Sequence, residues 1–81
     1  MARYFFDCRD GDRLISDPEG MELSGIKAAR DEATRVLAEL ARDIHPSATH
    51  RALTIEVRDE MSYVLIRASI IFEVKGDKGR A

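Results

Sequence analysis

Residues 3–23, RYFFDCRDGDRLISDPEGMEL, decide how the rest of the chain is read. Tyr4, Phe6 and Cys8 fall at alternate positions with Arg3, Asp7 and Arg9 around them, the pattern of a strand with one apolar face. Phe5 breaks the alternation by falling on the charged side. Asp10-Gly11 supplies a turn, because a type I′ hairpin needs positive φ and glycine takes it without strain. Residues 13–16 read as a short return strand carrying Leu14 and Ile15. Asp17-Pro18-Glu19-Gly20 is a second turn, with Pro18 fixing φ at the first corner and Gly20 relieving the exit. Met21, Glu22 and Leu23 either resume that strand or lead into a helix.

Working outward, the next element is a helix. Ser24 is the expected N-cap, its hydroxyl free to accept an orphan backbone N–H. Ile26, Ala29, Ala33, Val36, Leu37, Leu40 and Ile44 recur at three- and four-residue steps and form one stripe. Lys27 with Asp31, Asp31 with Arg35, and Glu39 with Arg42 stand at ion-pair spacing on the surface of that helix. The helix is expected to stop near His45, since Pro46 cannot continue the ladder and restrains its predecessor. Residues 46–51 read as a loop. Leu53, Ile55 and Val57 then alternate with Thr54, Glu56 and Arg58. Asp59-Glu60-Met61-Ser62 is the next turn, and residues 63–75 form a long strand. Val64, Ile66, Ala68, Ile70 and Phe72 share one of its faces; Tyr63, Leu65, Arg67, Ser69, Ile71 and Glu73 share the other.

The expected fold is therefore α+β, of ββαββ order. A four-stranded antiparallel sheet with one helix packed on one face buries the stripe and one side of every strand. Ile26, Val36, Leu37 and Leu40 are expected to meet Tyr4, Phe6, Leu53, Ile55, Ile66 and Ile70. Residues 1–75 make a single domain, and residues 76–81 a flexible charged tail.

The totals agree with this reading. The chain has 81 residues, and a domain of that size has a thin core that good packing or a partner must supplement. Its one cysteine, Cys8, excludes an internal disulfide. With 13 basic and 15 acidic residues the net charge is −2, which argues against a nonspecific nucleic-acid binder. No run is long and apolar enough for a transmembrane helix, and MARYFFDCRD lacks the apolar region of a signal peptide. The expectation is a cytoplasmic protein with a reduced thiol and no membrane partner.

The opening M-A-R-Y-F-F-D-C-R-D-G-D, the D-P-E-G-M-E-L segment and the A-A-R-D-E-A helix start resemble a group of short proteobacterial proteins classed as domain of unknown function 6894. The likeness covers roughly residues 2–75. It implies no activity, cofactor or catalytic residue. A looser likeness, of arrangement only, joins the chain to antitoxins of the HicB type, which also set an acidic loop before an amphipathic helix on a sheet.

Candidate chemistry is sparse. Asp7, Asp10, Asp12, Asp17, Glu19 and Glu22 lack the spacing of an EF-hand loop and read as turn residues. Cys8 falls on the inward face and reads as a small buried hydrophobe rather than a nucleophile. His45 and His50 flank a loop without further ligands, so no metal site is expected; His45 suits the negative end of the helix dipole. No phosphate-binding glycine loop or catalytic triad is legible, so neither enzyme activity nor a cofactor is expected. What remains is the sheet face opposite the helix. Phe5, Tyr63, Leu65, Arg67 and Ile71 are the candidate interface there, rimmed by charges of both signs as a two-fold contact requires. Edge-to-edge pairing by the last strand is the other route. A small non-enzymatic interaction or regulatory module is expected, a homodimer or the ligand of an unidentified protein. The rivals are a nucleic-acid-binding accessory using the same open face for base stacking, and, last, a small enzyme.

Overall fold

The structure, a computed structural model, describes residues 1–76. Its elements run β1 (Ala2–Asp10), β2 (Arg13–Ile15), β3 (Met21–Leu23), α1 (Ile26–Arg42), β4 (His50–Arg58) and β5 (Val64–Glu73). All pairings are antiparallel, in the order β2-β1-β4-β5, and β3 also pairs with β1. The expected α+β sheet with one helix is present. The charged tail expected over residues 76–81 lies, after Gly76, outside the described residues.

The stretch that opens the chain does more than form a hairpin. Cys8 pairs with Ile15, and Tyr4 with Met21. Between those pairs β1 moves from position 8 to position 4, while the returning chain moves from 15 to 21. β2 and β3 are thus the halves of one return strand, with two surplus residues thrown out as a bulge over residues 17–20. The hairpin turn also differs from expectation. Asp10 pairs with Arg13, so the loop is Gly11-Asp12, and only Gly11 has positive φ, at 62°. That is the II′ pattern rather than I′.

β4 lies between β1 and β5 and supplies the largest fully buried side chains, Leu53, Ile55 and Val57. Tyr4 joins them from β1, and Ala29, Ala33 and Leu37 close the core from α1. The helix meets the sheet through two alanines, whose small side chains let it lie close. The bulkier Val36, Leu40, Ile66 and Ile70 flank that contact line. Ile26, expected in the core, is 51% exposed instead, because it sits at the first helical position beyond the edge of the stripe. Ser24 is not the cap; Gly25 is, with no side-chain capping bond. The helix ends at Arg42 rather than near His45, and its last turn tightens through Asp43 N–H to Leu40 O and Ile44 N–H to Ala41 O. On its surface Lys27 reaches Asp31, but Arg35 bonds Glu32 and Glu39 instead of Asp31.

Gly20 shows how tightly the bulge is seated. Its φ is 71°, and a Cβ there would stand 2.8 Å from Tyr4 O and 2.9 Å from the Phe5 ring. Gly11 shares the positive φ but has open space around it. Gly20→Ala is expected to cost about 2–4 kcal/mol and Gly11→Ala about 1–2 kcal/mol, read from urea unfolding midpoints. Equal effects would contradict the close contact assigned to Gly20.

Candidate functional site

The bulge leaves a gap beside β1. Where the return strand swings away, the Phe6 N–H has no strand to bond, and the Asp17 carboxylate takes it through Oδ2 at 3.1 Å. Asp17 Oδ1 also accepts the N–H groups of Glu19 and Gly20, closing an Asx turn that the following Pro18 favours by holding Asp17 extended. Asp7, only 8% exposed, completes the anchor. Its Oδ1 accepts the Asp17 N–H at 2.9 Å and its Oδ2 accepts Arg58 Nε at 2.8 Å. Arg58 in turn donates to Asp17 O and lies over the Phe5 ring, 4.5 Å from its centroid. This buried anchor is the feature the sequence hid. Asp7 and Arg58 alternate like exposed residues, yet under the folded-over bulge Asp7 is buried and Arg58 half-buried.

The helix-free face is therefore not bare. Its β1 side is capped by residues 17–20 and by Arg58. Across the middle, Arg9 and Arg67 both donate to Glu56 Oε2, at 3.1 and 3.0 Å, and Thr54 bonds Ser69 at 2.8 Å. The charges expected to form a free two-fold patch, Asp7, Glu56, Arg58 and Arg67, are instead paired within the chain. Phe5 lies under its own arginine. Of the five candidate interface residues, Leu65, Arg67 and Ile71 lie on β5 and Tyr63 just before it. Phe5 is separated from them by β4. Tyr63, Leu65 and Ile71 are well exposed, Ile71 at 69%.

The two edges of the sheet differ in kind. The β2/β3 edge is two three-residue pieces broken by the bulge, which blunts it against pairing. The β5 edge is ten residues, VLIRASIIFE, with no proline and no lysine. Its register with β4 slips between Val57 and Arg58, beside Leu65, and then runs unbroken over residues 66–73. Among the described residues no strand pairs with its outer side.

Electrostatics follow from this geometry. Burial pushes the Asp17 carboxyl up, but the N–H groups of Phe6, Gly20 and Glu19, with Arg58 nearby, outweigh it and hold it below its ordinary value. The Arg67 hydrogen bond, with help from Arg9, lowers Glu56 despite some burial. Burial pushes the Cys8 thiol up, and Asp10 adds to this while Arg51 opposes it, the reverse of an activated thiolate. His45 does not serve the helix dipole, since α1 ends at Arg42; its Nδ1 accepts the Ser47 N–H at 3.0 Å. Among the described residues no three His, Cys, Asp or Glu side chains converge as metal ligands would. No helix among them is long and apolar enough to cross a membrane.

An α+β domain with a split, carboxylate-anchored return strand and one long edge strand is the class these features define. The chain belongs to the family described as a domain of unknown function, DUF6894, which it matches over residues 3–71. That span takes in the anchor, the helix and all but the end of β5. No curated protein and no solved structure matches the chain.

Asp17 carries a testable pH signature. A carboxyl held below its unfolded value stabilises the fold fully above about pH 5, and that stabilisation fades as pH falls through the folded value. Asp17→Asn is expected to cost about 1–3 kcal/mol at pH 7, by weakening its bonds to three N–H groups. Urea melts at pH 7 and pH 3 are expected to show a smaller acid loss in the variant than in the wild type. An equal loss in both would remove Asp17 from the account.

Proposed function

We propose that this domain is a small non-enzymatic interaction module that works as a homodimer in a reducing compartment, the cytoplasm. The observation that carries this reading is the side of the molecule built by β5. There the outer edge of β5, which no strand among the described residues pairs, stands beside exposed Val64, Leu65 and Ile71. Exposed apolar groups on an unpaired edge are stabilised by association, which removes them from water and gives the edge N–H and C=O groups partners. Cys8 as a lone half-buried thiol suits the reducing setting.

The nucleic-acid reading draws less support from the same face. Base stacking needs a free aromatic platform with free cations around it. Phe5 is covered by Arg58, and Arg9, Arg58 and Arg67 are each engaged by a carboxylate. A dimer-forming role leaves those pairs intact.

Sedimentation velocity of the pure protein, from micromolar to millimolar concentration, tests the reading. The expected result is a reversible shift from one chain to two as concentration rises. A single-chain species across the whole range would overturn it.

A further inference from the structure

Resting on the self-association just proposed, we infer that two copies of the chain pair antiparallel along β5 with the two-fold axis through Ile70. The assembly is one continuous sheet with both helices on the same face.

The orientation of the edge follows from one bond. Val74 N–H donates to Thr49 O, so the Val74 backbone faces β4. Backbone groups alternate along a strand, so Ile66, Ala68, Ile70 and Phe72 also face β4. The N–H and C=O groups of Arg67, Ser69, Ile71 and Glu73 point outward. An antiparallel two-fold pair must set each residue opposite one of the same face, so its axis passes through a residue position.

Side-chain chemistry then selects the register. With the axis at Ile70, Arg67 faces Glu73 of the second copy, and Ser69 faces Ile71. These are outward-facing positions, so both become hydrogen-bonded pairs, repeated by symmetry, for about eight main-chain bonds. On the helix side Ile70 meets Ile70, Ala68 meets Phe72 and Ile66 meets Val74. These are the closer, non-hydrogen-bonded pairs, all apolar, with a small residue against a large one. The pairing uses only the unbroken part of β5 and avoids the slip beside Leu65. The other axes from Arg67 to Ile71 do worse. One at Arg67 sets arginine against arginine, and one at Ile71 sets Arg67 against Lys75. One at Ser69 sets Arg67 against Ile71 and Leu65 against Glu73. One at Ala68 needs the slipped Leu65 to pair and sets Glu73 against Tyr63. Opposed like charges and charge against apolar both weaken a cross-strand contact.

The charge pair gives a decisive experiment by sedimentation. Arg67→Glu alone or Glu73→Arg alone sets like charges together twice per dimer, and each is expected to weaken self-association by roughly tenfold or more. Mixed one to one, the two variants restore every opposite-charge contact, since one chain then carries acids at both positions and the other bases at both. The mixture is expected to dimerise with near wild-type affinity. Circular dichroism of each variant checks that losing the Arg67 bond to Glu56 leaves the fold intact. A dimeric wild type whose two variants dimerise equally well, alone or mixed, overturns the β5 register while leaving self-association standing. Loss of the dimer on Leu65→Glu would then move it to the sheet face. A wild type that is a single chain at all concentrations overturns both readings. As a second probe, Ile70→Cys in a Cys8→Ser background is expected to form an interchain disulfide on oxidation, since non-hydrogen-bonded partners stand about 4.5 Å apart at Cα. A folded, dimeric variant that does not crosslink would overturn the Ile70 axis.

Discussion

Asp17 stands where β1 loses its return-strand partner at Phe6, and its carboxylate takes the N–H left there. The return strand carries two more residues than β1 can match, so they must leave the sheet. A bare gap would strand the Phe6 N–H in a half-buried position, at a cost of about 1–3 kcal/mol. Asp17 accepts that N–H, and Asp7 accepts the Asp17 N–H in return. Arg58 ties both to β4. One buried carboxylate and one arginine therefore join three strands, β1, β4 and the split return strand, from the side that the helix does not reach.

That anchor also shapes the surface. By folding residues 17–20 over Phe5 and Asp7, it covers that part of β1 on the helix-free face. By breaking the return strand, it blunts that edge of the sheet. Among the described residues the opposite edge has no comparable guard apart from the slip beside Leu65. The asymmetry leaves β5 as the longer, more regular edge, and it arises from where the surplus residues fall in the chain.

Much of the fold was legible because it is local. Alternation placed Tyr4, Leu53, Ile55 and Val57 inward, and three- and four-residue spacing placed Ala29, Ala33 and Leu37 on one helical stripe. Pattern alone could not say that Ile26 overhangs the end of the contact, or that the helix stops at Arg42 before the proline forces it to. The anchor was hidden for a different reason. Asp7 and Arg58 are 51 positions apart, and alternation assigns both to the open face. Nothing in local spacing says that a turn labelled by Asp17, Pro18 and Gly20 folds back to bury them. For the same reason nothing in local spacing places Arg58 over the Phe5 ring. The β5 group of Leu65, Arg67 and Ile71 was legible as one face of one strand, but its outward backbone required the register with β4.

Amide hydrogen exchange read residue by residue along β5 is the most direct test of the dimeric sheet. Ala68, Ile70 and Phe72 donate to β4 and stay protected at every concentration. At high concentration the N–H groups of Arg67, Ser69, Ile71 and Glu73 should be protected to a similar degree, and should lose that protection on dilution. Rapid exchange at those four positions at all concentrations, beside protected neighbours, would show an edge that faces water alone.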